Sequence, residues 1–259
     1  MTSIRLAGMT VESDGDGPPI VMLHGLGGTS NSFQAMMPPL AGFRIVRPDL
    51  PGAGRSPSPA QKITVEFLVD AVETAASHLG VGRAHVVGHS FGTLIAQHLT
   101  ARRPARVASL TLFGPILEPQ DAARARLRDR AATARNEGMG TVADQLAGSA
   151  LSSATANDNP VVVAFVRESH MRQDAEGFAR SCEALAQADK ADHRLIDCPT
   201  LIVTGDEDAV GPASVAQELA DRIGGAKTVI LHRCGHWTPV EKAKECGKLL
   251  ADFVRGIQI

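Results

Sequence analysis

A chain of 259 residues can bury a full hydrophobic core, and 44% apolar with 21% charged residues is the balance of an ordinary globular protein. A formal net charge of −2 excludes the basic field that nucleic acid or an anionic membrane surface would require. No apolar run approaches the roughly 18 residues of a membrane span, the stretch Met1–Gly8 lacks a signal-peptide core, and the four cysteines (Cys182, Cys198, Cys234, Cys246) have neither C-x-x-C spacing nor disulfide-framework density, so free thiols in a cytoplasmic protein are expected.

In chain order, the first dozen residues suggest a short hairpin, followed by the turn Asp14–Pro19. Ile20–Leu23 is a continuous apolar run, as in a strand covered on both faces. It ends in His24-Gly25-Leu26-Gly27-Gly28, after which Ser30 or Asn31 caps a helix reaching to Pro38. Phe43–Val46 is the next strand and runs into the long turn Pro48–Ser56. From Thr64 to Leu79, apolar residues at Phe67, Leu68, Ala71, Val72, Ala75 and Leu79 have helical spacing, and Gly80 suits the stop. Arg83–Val87 reads as a strand, a helix ends at Pro104, and Val107–Phe113 is another buried strand.

From Pro115 to His193 the character changes. Strand-like runs are absent apart from Val161-Val162-Val163, Arg124–Arg130 reads as a solvated helix, and Ala154–Pro160 as a loop. This stretch is taken as a helical insertion, residues 115–193, in a core made of residues 1–114 and 194–259. Strand alternation then resumes with Thr200–Thr204, a helix at Ser214–Ile223, a strand at Thr228–Leu231 and a helix from Pro239 to Val254. Strands alternating with helices imply right-handed βαβ units, an α/β fold with a mainly parallel sheet and helices on both faces.

The chemistry centres on Val86-Val87-Gly88-His89-Ser90-Phe91-Gly92, a strand entering a G-x-S-x-G turn ahead of the helical run Thr93–Leu99. Such a turn lifts one serine out of the sheet on a strained backbone. Gly88 and Gly92 leave room for it, and the helix N-terminus favours developing negative charge at Ser90. A serine hydroxyl needs a base that is itself held by an acid. In open α/β sheets, chemistry gathers beyond the carboxyl ends of the strands. Two later strands end in Gly205-Asp206-Glu207-Asp208 and in His232-Arg233-Cys234-Gly235-His236-Trp237, which gives the chain order Ser, Asp, His.

Together Gly-His-Ser-Phe-Gly, His-Gly-Leu-Gly-Gly, Asp-Leu-Pro-Gly-Ala-Gly-Arg-Ser, Gly-Asp-Glu-Asp and Gly-His-Trp resemble the α/β-hydrolase superfamily, over nearly the whole chain outside the insertion. The resemblance implies a Ser90–His236–Asp208 triad and an oxyanion hole from the N–H groups of Leu26 and Phe91. Within the superfamily the chain is similar to 3-oxoadipate enol-lactonases and related lactonases, including Asp174–Asp189 of the insertion. It departs from them in having no tyrosine and in placing Phe33 where the family has a tryptophan. The implied activity is hydrolysis of a small ester, foremost a lactone, through an acyl-enzyme and without cofactor or metal.

The acid could be Asp206, or Glu118 or Asp121 after the preceding strand. His232, Cys234 and His236 could suggest a metal site, although Gly235 argues against the helix that closely spaced ligands prefer. His89 and His24 read as packed histidines, and Arg55 and Ser56 as turn structure. Phe33 and Trp237 are candidates for the pocket lining. An enol-lactonase substrate carries a free carboxylate, which once desolvated needs a partner, and the insertion offers Arg167, His170 and Arg172. A carboxylesterase or a hydrolase of carbon–carbon bonds would use the same triad, while dehalogenase chemistry needs an aspartate where Ser90 stands. A ligand-binding protein on the same scaffold is the rival from outside enzymes.

Overall fold

The computed structural model describes residues 2–6 and 8–259. Its strands, in chain order, are β1 (Thr2–Leu6), β2 (Met9–Asp14), β3 (Pro19–Leu23), β4 (Arg44–Asp49), β5 (Ala84–His89), β6 (Val107–Phe113), β7 (Thr200–Gly205) and β8 (Lys227–Leu231). They form one sheet in the order β1-β2-β4-β3-β5-β6-β7-β8. The N-terminal hairpin pairs Thr2 with Ser13 and Leu6 with Met9, while Met1 and Ala7 lie outside the described residues. β2 also runs antiparallel to β4, and every pairing from β4 across to β8 is parallel. β5, β6 and β7 are buried at every position, because helices cover both faces of the sheet there.

One face is covered by α1 (Val65–His78), α2 (Phe91–Arg102) and α8 (Ala213–Arg222). α1 starts where the Thr64 hydroxyl accepts from Phe67 N (3.1 Å), and Gly80 leaves it with φ +67°. The opposite face is covered by a 3₁₀ turn, Ser30–Met36, and by α10 (Ala243–Arg255), whose Cys246, Leu250, Ala251 and Val254 pack with Phe33, Met36 and Leu40. The turn before β4 differs from the expected helix in its cap, which is Thr29, and in its tighter winding. The C-terminal helix is likewise divided, into α9 (Thr238–Glu241) and α10, by Lys242, whose φ of −124° and ψ of 43° are not helical.

Between β6 and β7 the described chain is helical, with α3 (Asp121–Glu137), α4 (Met139–Ala147), α5 (Ser153–Asp158), α6 (Pro160–Met171) and α7 (Ala175–Gln187). Local caps overturn two expectations here. The Ser152 hydroxyl accepts from Thr155 N (3.1 Å), which makes α5 of the expected loop. Asn159 caps Val162 N (3.2 Å) and Pro160 takes the first helical position, so the three valines open α6 rather than a strand. α3 is solvated on one side only, for Leu127, Ala131 and Ala134 are buried where it packs on α7. Among the described residues no helix is long and apolar enough to cross a membrane.

Candidate active site

β5 delivers Ser90 and α2 leaves from it. Ser90 has φ 54° and ψ −122°, a strained conformation for a residue with a side chain. The strain persists because its neighbours hold it: Ser90 N donates to Phe113 O (3.0 Å), and Ser90 O accepts from Thr93 N (2.8 Å) and Thr93 Oγ1 (2.6 Å). A methyl at Gly88 would collide with the backbone of Gly92, and one at Gly92 with the carbonyls of Leu23 and His24. Both glycines are therefore demanded by close approach of backbone to backbone.

His236 comes from the loop after β8 and Asp208 from the loop after β7, two strand ends on the same rim as Ser90. Ser90 Oγ lies 2.8 Å from His236 Nε2, and His236 Nδ1 lies 2.9 and 3.0 Å from the two Asp208 oxygens. Since a carboxylate only accepts, Nδ1 carries the proton and Nε2 presents a lone pair to the serine hydroxyl. Asp208 is sealed from solvent and also accepts from Val210 N and Gly211 N (2.8 Å each). Burial alone would raise its pKa; the adjacent imidazole and these hydrogen bonds outweigh that and hold it at about 2. His89, next to the serine, donates from Nε2 to the carbonyl of His236 (2.9 Å). Its ring stands 5.3 Å from that of His236 and 5.4 Å from that of Trp237, so it braces the loop.

The loop His24–Gly28 lies against the serine so closely that a methyl at Gly25 would come 2.6 Å from Ser90 Cβ. His24 ties it to β4, with Nδ1 donating to Gly25 O (2.8 Å) and Nε2 accepting from Leu50 N (2.9 Å). Burial lowers the His24 pKa and keeps this neutral tautomer. The far side of the loop is tethered to α6 and the residues after it: Ser169 Oγ and Gln173 Nε2 both donate to Gly27 O (2.6 and 3.1 Å). The His170 ring rests on Gly27, whose φ of +69° and lack of a side chain accommodate it. Among the described residues neither Leu26 N nor Phe91 N donates to a protein acceptor. Both border a cavity of about 20 Å³, roomy enough for one water, with Leu50, Pro51, Gln173, Phe178 and Ser181 among its walls.

A family model described as the alpha/beta hydrolase fold matches residues 18–243. The chain belongs to the α/β-hydrolase family. Its relatives include 2-hydroxymuconate semialdehyde hydrolase of Pseudomonas sp. (strain CF600), 31% identical over 94% of this chain and 89% of that one. Pimeloyl-[acyl-carrier protein] methyl ester esterase of Chromobacterium violaceum is 33% identical over 94% and 97% of the two chains. Among solved structures, the enol-lactonase from Burkholderia xenovorans LB400 superposes with a TM-score of 0.88 at 28% identity, covering 98% of this hydrolase and all of that chain.

Of the other residues singled out from the sequence, Trp237 follows His236 and stands 5.4 Å from the His89 ring. It is buried with Leu151, Val162 and Val166, its ring 5.5 Å from His170. Phe33 is not pocket lining: it is wholly buried in the core under the opposite sheet face, because the 3₁₀ turn points it toward α10. Arg167 turns outward to Asp144 (2.6 Å), and Arg172 is exposed at the end of α6, so neither is held for a substrate. Asp206 pairs with the exposed His232 (2.7 Å), and Glu118 with Lys190 (2.9 Å), while Asp121 begins α3. His232 in solvent and Cys234, buried with Sγ toward Gly235 O, do not converge with His236 on a metal position. Arg55 binds Asp49 (2.8 Å) and the Ser56 hydroxyl donates to Asp49 O (2.5 Å), a framework for the turn. Ser169 and Gln173 were not singled out from the sequence, since nothing local marks a helix end that will meet a loop some 140 residues away.

Proposed function

We propose that this hydrolase cleaves carboxylic esters, lactones foremost, with Ser90, His236 and Asp208 as its triad. The observation that carries the reading is the continuous hydrogen-bonded chain from Ser90 Oγ through the imidazole to a buried, ionised carboxylate. Ser90 Oγ attacks the carbonyl carbon as its proton passes to His236 Nε2. The oxyanion is stabilised by the N–H groups of Leu26 and Phe91, the latter at the N-terminus of α2. The tetrahedral intermediate collapses by breaking the bond to the alkoxy oxygen, which takes the proton from His236. In a lactone that alcohol stays tethered to the acyl group. Water then attacks the acyl-enzyme, giving a proton to His236, and Ser90 recovers its own as the acid leaves. Asp208 holds the imidazole in the required tautomer throughout.

The segment 115–193 is assigned the choice of substrate, since Phe178, Ser181 and Gln173 wall the cavity at Leu26 and Phe91. A second reading, hydrolysis of a carbon–carbon bond next to a carbonyl, is favoured by the likeness to 2-hydroxymuconate semialdehyde hydrolase. Assaying lactones, p-nitrophenyl esters and ring-cleavage dienoic acids in parallel separates the two. Ester or lactone turnover is expected to dominate, and Ser90→Ala should lose it by several orders of magnitude while remaining folded. A dienoic acid cleaved faster than any ester overturns the first reading in favour of the second.

A further inference from the structure

Gly235, His236 and Trp237 form the loop that presents the imidazole, and the acceptors of their three N–H groups tie that loop to distant parts of the chain. His236 N donates to Ala150 O (2.9 Å), in the stretch between α4 and α5. Its two neighbours go to one side chain: Gly235 N donates to Glu241 Oε2 (3.1 Å) and Trp237 N to Glu241 Oε1 (3.1 Å). Glu241 Oε2 also accepts from Ser152 N (2.9 Å), so one carboxylate takes backbone donors from both the histidine loop and the helical segment. Glu241 N in turn donates to Trp237 O (2.8 Å), which folds α9 back on the loop and fixes where the carboxylate sits. The two stretches of backbone touch here, since a methyl at Gly235 would come 2.5 Å from Ser152 N.

These bonds join the imidazole to the helical segment. Ser152 caps α5, α5 packs on α6, and residues at the end of α6 hold Gly27 of the loop that carries Leu26. Leu151, between the two bonded residues, is buried against Trp237. The carbonyl of His236 accepts from His89 Nε2 (2.9 Å), so both its N–H and its C=O are bonded. We propose that Glu241 is a positioning residue, whose carboxylate locks the Gly235–Trp237 loop to Ser152 and holds His236 Nε2 within reach of Ser90 while residues 150–152 stay seated. This rests on the reading of His236 as the base of the triad. A carboxylate suits the task, because its two oxygens offer about four lone-pair sites and its bonds to backbone N–H are charge-assisted. An apolar side chain at 241 would leave those donors without their acceptor, beside the group that must be held still.

The test replaces Glu241 and reads both turnover of p-nitrophenyl acetate and the NMR signal of the His236 Nδ1–H proton, assigned by its loss in His236→Gln. Glu241→Ala should lower kcat about 10- to 100-fold, as a displaced catalytic group does, with KM within about twofold of wild type. The Nδ1–H signal should shift or broaden by exchange with water. Glu241→Gln, whose carbonyl oxygen can still take Gly235 N and Ser152 N, should recover much of the loss, and Glu241→Asp, one carbon too short, should not. Should Glu241→Ala not fold, the ranking of Glu241→Gln above Glu241→Asp, in kcat and in the sharpness of the signal, decides. A lower melting temperature with kcat and the imidazole signal unchanged overturns the proposal, because Glu241 would then only stabilise the fold. Equal kcat in the Gln and Asp variants overturns it too. A wild type that turns over no ester, with the signal still displaced in Glu241→Ala, would sink the ester reading and leave the positioning role standing. Ester turnover indifferent to Glu241 would do the reverse.

Discussion

Asp206 and Asp208 stand two residues apart on one loop, and their surroundings give them different work. Asp206 reaches the exposed His232, whereas Asp208 is buried against His236 and two backbone N–H groups. If Asp208 fixes the histidine tautomer, Asp208→Asn should cost about 10⁴-fold in kcat. Asp206→Asn should cost little, and steady-state kinetics on one ester ranks the two. The opposite ranking would move the acid two residues. The serine turn was legible from its glycines, because so tight a bend leaves a local signature. Which of several nearby carboxylates meets the histidine is settled by the path of the loop after β7, and no spacing in the chain encodes it without the family likeness. Phe33 illustrates the converse, since its place beside a motif said nothing about which face of the sheet it would enter.

At the scale of elements, the loop His24–Gly28 is held from both sides. His24 fastens it to Leu50 at the end of β4, and Ser169 and Gln173 fasten Gly27 to the end of α6. Ser169→Ala removes one of these bonds, so Leu26 N–H should be less well placed while Ser90 and His236 remain intact. A hydrogen bond of this kind is worth roughly 0.5–1.5 kcal/mol, which corresponds to about a 2- to 12-fold fall in kcat. Ser169→Thr, which keeps the hydroxyl, should restore most of it. An unchanged kcat in Ser169→Ala would show that α6 does not position the loop. The alternation of strands and helices was readable from apolar runs, and α1 from its spacing and its stop at Gly80. The helices between β6 and β7 were harder to read. At α5 and α6 the deciding features are single capping side chains, Ser152 and Asn159, which override the strand preference of three consecutive valines.

On the scale of the whole molecule, the fold buries several neutral histidines. Burial is the leading cause that lowers His85, His170 and His193 to about 4 and His89 to about 3, and it lowers His24 as well. Unfolded, each would take up a proton near about pH 6.5. Between that value and the folded ones the unfolded chain binds more protons, so stability is fully present above the unfolded pKa and declines as pH falls toward 4. The slope should correspond to an uptake of about four protons on unfolding near pH 5. Urea denaturation at a series of pH values measures it. A free energy of unfolding that stays level from pH 7 to 4.5 would contradict this picture of the interior. Composition and charge had bounded the class of molecule, but the burial of these histidines became visible only once the sheet and its helices were assembled.

Ser90, raised on a strained turn and joined to His236, is the proposed nucleophile. A fluorophosphonate followed by intact-mass measurement and peptide mapping tests it most directly. A single adduct on Ser90 is expected, absent from Ser90→Ala and formed far more slowly in Asp208→Asn. An adduct on any other residue, or labelling that persists unchanged in Ser90→Ala, would contradict it.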